Sequence, residues 1–188
     1  GSTDSTLTSF PRTQLPAHSL GVTLYGEGGN DSLGGHTAGD NLFGGAGVDY
    51  LYGNGGADTL DGGADRDFLL GGDGNDALYG QAGADVIYGE TGADWIFGGA
   101  DDDYLVGDSA SSLLDALAGD DYISGGPGTD VLRGGAGADV LDGGLGDDQI
   151  WTDKDDVVVR GAGAGFDNIY AEGGIGSVVA EDLNGATT

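Results

Sequence analysis

From residue 26 to residue 151 one large aliphatic side chain recurs at every ninth position. The series runs Leu33, Leu42, Leu51, Leu60, Leu69, Leu78, Ile87, Ile96, Leu105, Leu114, Ile123, Leu132, Leu141 and Ile150, without insertion or deletion. Each aliphatic is the eighth residue of a nine-residue unit, and glycine opens every unit except the one that begins at Ala116. Nine is not a helical period, and frequent glycine costs about 1 kcal/mol per residue inside a helix. Glycine admits positive φ and close backbone approach, so the first six residues of each unit are predicted to form a turn. The last three, such as Tyr50-Leu51-Tyr52, are β-prone. Alternation along so short a strand turns the aliphatic inward and its two neighbours outward. The prediction is an all-β parallel solenoid of stacked strand–turn units with one core residue per strand.

The polar pattern has the same period. Aspartate occupies the sixth position at Asp31, Asp40, Asp49, Asp58, Asp67, Asp76, Asp85, Asp94, Asp103, Asp121, Asp130, Asp139 and Asp148, and Ser112 stands in the one gap. The chain of 188 residues carries a net charge of −28, with 29 Asp but only 4 Glu. A generally acidic surface uses both residues, whereas aspartate places a short carboxylate close to the backbone, as turns and cation sites require. Five Lys and Arg in all leave no basic patch for nucleic acid. The absence of cysteine excludes disulfides, thiolate metal sites and thiol catalysis. No apolar run approaches the length of a membrane span, and residues 1–20 lack the apolar core of a cleavable signal.

The best-kept units are Gly44-Gly45-Ala46-Gly47-Val48-Asp49-Tyr50-Leu51-Tyr52, Gly71 to Tyr79, Gly125 to Arg133, Gly134 to Asp142 and Gly143 to Trp151. They resemble the repeats-in-toxin (RTX) nonapeptide G-G-x-G-x-D-x-U-x, with U a large aliphatic. The resemblance covers residues 26–151 and implies a parallel β-roll, a two-sheet right-handed β-helix solenoid, in which two nonapeptides make one coil. It also implies calcium held between loops on one edge, eighteen residues apart, by the thirteen aspartates and turn carbonyls. With that spacing, one edge would stack Asp31, Asp49, Asp67, Asp85, Asp103, Asp121 and Asp139, and the other Asp40, Asp58, Asp76, Asp94, Ser112, Asp130 and Asp148. Discounting the gaps beside Ser112 leaves up to about ten Ca²⁺, which would bring the net charge to about −8. The thin core gives calcium a physical role, since one aliphatic per nine residues is little to set against the entropy of ordering the chain.

Two departures stand out. Asp65, Asp101, Ala38 and Ala110 replace the glycine usual at the fourth position, which predicts altered turns or weaker sites there. The unit 107–115 is degenerate. A short helical bulge and a coil turn without metal both suit it, and its unbroken register favours the coil turn.

The predicted outer face of one sheet carries a row Tyr50, Phe68, Val86, Tyr104, Tyr122 beside a row Tyr52, Leu70, Tyr88, Val106. Such a patch suits a protein or polysaccharide partner, or self-association, and equally suits simple cross-strand stabilisation. Residues 1–25 are expected to form an N-terminal cap that includes Val22-Thr23-Leu24-Tyr25, and residues 152–188 a C-terminal cap. The ending Asn184-Gly185-Ala186-Thr187-Thr188 looks like a cut inside a longer chain.

The expected function is a non-catalytic, calcium-folded module of a secreted bacterial protein. The RTX resemblance implies type I export and folding in extracellular millimolar calcium. Two alternatives share the fold: an adhesive or surface-layer scaffold using the aromatic face, and an accessory module of a polysaccharide epimerase, protease or lipase. Acidic runs such as Asp101-Asp102-Asp103 follow the repeat, so they do not argue for a catalytic pair. His18 and His36 belong to no zinc motif, and His36 falls at a variable turn position where solvation is expected.

Overall fold

The computed structural model describes residues 6–7, 20–108, 119–160, 165–171 and 177–180. In chain order the strands are β1 (Thr6–Leu7), β2 (Thr23–Gly28), β3 (Ser32–Gly34), β4 (Asn41–Ala46), β5 (Tyr50–Gly55) and β6 (Thr59–Ala64). Next come β7 (Phe68–Asp73), β8 (Ala77–Ala82), β9 (Val86–Thr91), β10 (Trp95–Ala100), β11 (Tyr104–Asp108) and β12 (Tyr122–Pro127). The series ends with β13 (Val131–Arg133), β14 (Val140–Leu145), β15 (Gln149–Thr152), β16 (Val157–Arg160), β17 (Asn168–Ala171) and β18 (Ser177–Ala180). Among the described residues there is no helix.

Odd-numbered strands form one nine-stranded parallel sheet and even-numbered strands a second, so the chain alternates between sheets at every turn. This is the parallel two-sheet β-roll that the resemblance implies. Within each sheet the register advances by eighteen residues, as in Tyr50↔Phe68 and Leu51↔Leu69. The sheets face each other across a single file of fully buried aliphatics from Leu33 to Ile150, closed by Val158.

Most strands are six residues long, twice the expected length, because they continue into the opening glycines of the next unit. Along Asp49, Leu51 and Gly53 every second residue is buried. Each unit therefore turns three residues inward, a carboxylate, an aliphatic and a glycine, where the sequence pattern had indicated only the aliphatic.

The expected flanks also supply strands. The pair β2 and β4 aligns Leu24 with Leu42, while β15 and β17 align Ile150 with Ile169. Leu24 and Ile169 pack as half-buried ends of the core file.

The unit 107–115 breaks the register. Trp95 pairs with Tyr122 and Tyr104 with Val131, offsets of twenty-seven residues where the other strand pairs between β2 and β15 advance by eighteen. Nine residues thus lie outside the coil count, and the expectation of a degenerate coil turn in register is corrected. Leu114 and Ser112 fall outside the described residues. The chain re-enters at Gly119 and Asp120. Omitting residues 110–118 rejoins Gly107, Asp108 and Ser109 to Gly119, Asp120 and Asp121, which restores glycine at positions one and four and aspartate at position six. The geometry agrees: a Cβ on Gly119 would overlap the Gly92 backbone, just as one on Gly47 would overlap Gly29 one coil away.

Candidate functional site

Each repeat aspartate ends a turn and points its carboxylate inward, at the edge where one sheet passes to the other. Burial is nearly complete: Asp49, Asp94, Asp130, Asp139 and Asp148 are 0% exposed. One oxygen of each carboxylate joins a ladder along the solenoid. Asp31 N–H donates to Asp49 Oδ1 at 2.7 Å, Asp49 N–H to Asp67 Oδ1 at 2.8 Å, and Asp67 N–H to Asp85 Oδ1 at 2.8 Å. On the other edge Asp40 N–H donates to Asp58 Oδ1 at 2.7 Å and Asp58 N–H to Asp76 Oδ1 at 2.8 Å.

Ladder membership differs from the eighteen-residue expectation beyond the break. Asp94 N–H donates to Asp121 Oδ1 and Asp103 N–H to Asp130 Oδ1, both at 2.8 Å. One edge is therefore Asp31, Asp49, Asp67, Asp85, Asp103, Asp130 and Asp148, continued by Asp167. The other is Asp40, Asp58, Asp76, Asp94, Asp121 and Asp139, continued by Asp156. Neither ladder has the gap expected at Ser112. Asp156 and Asp167 extend the ladders into the expected C-terminal cap, seventeen residues after Asp139 and nineteen after Asp148.

The second oxygen is the chemically telling one. Oδ2 is buried without a hydrogen-bond partner at Asp49, Asp58, Asp67, Asp76, Asp85, Asp94, Asp103, Asp121, Asp130, Asp139 and Asp148. Each points at the glycine that opens its unit, five residues earlier except for Asp121, which faces Gly107, and that glycine lacks the Cβ that would fill the space. A Cβ on Gly62 would lie 2.5 Å from Asp67 Oδ2. One on Gly44 would overlap Asp49 Oδ2 and sit 2.5 Å from the Gly62 carbonyl oxygen, which belongs to the next coil. The cradle therefore gathers a carboxylate oxygen and a backbone carbonyl, both hard donors suited to a cation such as calcium. At Asp40 the arrangement differs, since Oδ2 accepts the His36 N–H at 2.5 Å. No group of three or more His, Asp or Glu side chains is gathered as a metal cluster among the described residues. Any ion here would depend on carbonyls as well as carboxylates.

Burial without a counter-charge raises the carboxyl pKa values. Asp58, Asp76 and Asp85 are pushed up to about 6, and Asp67, Asp130 and Asp139 to about 7. Asp94 and Asp103 reach about 8 and Asp121 about 9. Desolvation is the largest cause in every case, the N–H from the neighbouring coil opposes it, and adjacent carboxylates add repulsion at most positions.

The turns that present these groups use left-handed backbone. Gly47 (φ 117°) and Gly74 (φ 135°) supply it at the fourth position, and Asp65 (φ 75°) and Asp101 (φ 81°) keep the same hand. Aspartate tolerates that region better than most residues, so these loops retain the turn whose alteration their sequence predicted.

The expected aromatic face is only partly assembled. Tyr50, Phe68, Val86 and Tyr104 align across β5, β7, β9 and β11, as do Tyr52, Leu70, Tyr88 and Val106. Neighbouring rings meet at 6.0 Å for Tyr50–Phe68 and 5.8 Å for Phe68–Tyr88. Val106 is buried and offers little surface. Tyr122 does not join them: it lies in β12 on the other sheet, beside Trp95, because the nine extra residues exchange the faces of all later units. There it forms a second cluster, with ring centroids 5.7 Å from both Trp95 and Phe97. Phe97 also stacks on Tyr79 at 5.3 Å. Arg133 and Trp151 pair across β13 and β15 on the first sheet, where the guanidinium lies 4.6 Å from the ring centre.

Against known proteins, the family model described as RTX calcium-binding nonapeptide repeat (4 copies) matches at residues 22–38, 34–69, 70–105, 79–114, 97–132, 115–150 and 124–159. The matches together run from residue 22 to residue 159. A search of the curated proteins returns no match.

Proposed function

Because the chain belongs to the RTX calcium-binding nonapeptide repeat family, we propose that it is a non-catalytic module whose β-roll forms when calcium enters both aspartate ladders. The observation that carries this reading is the file of buried Oδ2 atoms without hydrogen-bond partners. Uncompensated buried carboxylates destabilise a fold by several kcal/mol each unless they are neutralised or paired. A divalent cation between coils supplies the missing charge, and the protein supplies the carboxylate, the turn carbonyl and a glycine-lined space. Ligand that binds only the folded state stabilises it by RT ln(1 + [Ca²⁺]/Kd) per site, so folding follows the calcium concentration. That linkage suits a chain exported unfolded from low calcium into millimolar calcium, and a secreted or cell-surface location.

An adhesive scaffold is the second reading, favoured by the cluster of exposed Trp95 with half-buried Tyr122, Phe97 and Tyr79. Use as an accessory module of a larger enzyme is compatible with the same fold.

The test is far-UV circular dichroism of chelator-treated protein during calcium titration, with magnesium as control. A cooperative coil-to-β transition in calcium alone is expected. A β spectrum already complete in chelator would refute calcium-driven folding and leave a static scaffold.

A further inference from the structure

The insertion leaves the coil directly after Asp108, and this residue behaves unlike its counterparts in other units. Position two of the repeat is solvent-exposed and left-handed at Glu27, Asn54 and Gln81, with φ of 69°, 76° and 80°. Asp108 has no such φ and is only 4% exposed. Its N–H donates to the Gly134 carbonyl at 2.9 Å, and a Cβ on Gly135 would lie 2.5 Å from its own Cβ. The side chain is thus buried beside the cradle that the adjacent Gly107 forms for Asp121.

That cradle is otherwise built like the rest. A Cβ on Gly107 would overlap Asp121 Oδ2 and lie 2.5 Å from the Gly134 carbonyl oxygen. Asp121 is 2% exposed, and its Oδ2 has no hydrogen-bond partner. Other cradles bring one carboxylate from the repeat position, whereas this one has a second beside it from outside the repeat. After burial and the opposing N–H of Asp94, the charge of Asp108 is the first of the neighbouring carboxylates to act on Asp121.

We propose that Asp108 and Asp121, with the Gly134 carbonyl, form a calcium site of their own at the root of the insertion, and that this site fills first. The inference rests on the calcium-binding reading above and adds a residue and an order of binding to it. Affinity of oxygen-donor calcium sites rises with the number of charged ligands, so two carboxylates at one cradle outcompete one. The interruption then marks the place where the first ion binds, contrary to its expected role as a metal-free coil.

The experiment uses the full chain, freed of metal by chelation. Calcium titration by calorimetry is compared between the parent and Asp108→Asn. Asp108→Asn is expected to weaken the first binding step by roughly tenfold, with later steps and calcium-induced β structure retained. Terbium(III), which substitutes for calcium, gives an independent readout through sensitised emission excited selectively in tryptophan. Trp95 lies beside Tyr122, next in sequence to Asp121, while Trp151 lies on the other sheet. Emission from the first equivalent should therefore vanish in Trp95→Phe and persist in Trp151→Phe. A first step unchanged in Asp108→Asn, or first-equivalent emission that survives Trp95→Phe, overturns the proposal and leaves the calcium module intact. Should Asp108→Asn fail to fold, the tryptophan pair decides. A parent chain that binds no calcium removes both readings.

Discussion

Replacing Asp76 by asparagine should change stability in opposite directions with and without calcium. Asp76 is 2% exposed, its Oδ1 accepts the Asp58 N–H at 2.8 Å, and its Oδ2 has no hydrogen-bond partner. Asparagine keeps the shape and the accepting oxygen but removes the charge. In the metal-free chain that charge is a burden, because burial pushes the carboxyl from 3.8 up to about 6 against the opposing N–H. A rise of about two pKa units corresponds to about 3 kcal/mol of destabilisation at neutral pH. Asp76→Asn should therefore stabilise the metal-free fold, by up to ~3 kcal/mol. With calcium present the carboxylate becomes a ligand. Losing a site that is filled at a hundred times its Kd costs about 2.7 kcal/mol, and twice that if the residue serves the ions on both sides. The assay is urea denaturation followed by circular dichroism, once in millimolar calcium and once in chelator with trimethylamine N-oxide to favour the compact state. The urea midpoint should fall in calcium and rise in chelator. A midpoint that falls equally in both conditions would mean that Asp76 acts only through its ladder hydrogen bond, and the argument for a cation at this edge would fail.

Three further outcomes follow from the same geometry. Gly44→Ala places a methyl group over Asp49 Oδ2 and 2.5 Å from the Gly62 carbonyl, so it should cost about 1–3 kcal/mol and weaken calcium binding, both measurable by melting in calcium and by calorimetry. Deletion of residues 110–118 restores the repeat at Gly107, Gly119 and Asp121; the shortened chain should show the parent β spectrum in calcium, and a chain that no longer folds would refute the assignment of nine residues outside the coil. In chelator, acid should promote folding: the raised folded-state values of Asp94 and Asp103, about 8, mean that the fold holds more protons than the unfolded chain, so metal-free stability is greatest near pH 4 and is lost as the pH rises toward 8. In calcium the dependence should reverse, since protons compete with the ion, and circular dichroism against pH under both conditions measures the two slopes.

The nine-residue period was enough to determine the parallel solenoid, the inward aliphatics and which thirteen aspartates recur in phase with them. These are consequences of local spacing, because a strand of alternating faces can bury only one set of its residues and turns rich in glycine fall where the glycines are. The inward glycines were harder to infer. A glycine reads as a turn signal, and only the packed structure shows that Gly44 and Gly62 leave room for the carboxylates of Asp49 and Asp67. The second sheet position of Tyr122, the first-sheet position of Arg133 and Trp151 and the burial of Asp108 were not determined by the period at all. A nine-residue insertion is invisible to a nine-residue repeat, since the letters downstream stay in phase. Whether those residues form a coil or lie outside it depends on which strands pair, and pairing Trp95 with Tyr122 rather than continuing the eighteen-residue step brings Ile96 onto Ile123 and Asp94 onto Asp121. An unbroken core file and two unbroken carboxylate ladders favour that choice. Local sequence settled which aliphatic each unit buries, and the tertiary structure decided which units are neighbours, because stacking energy is gained only between coils in contact.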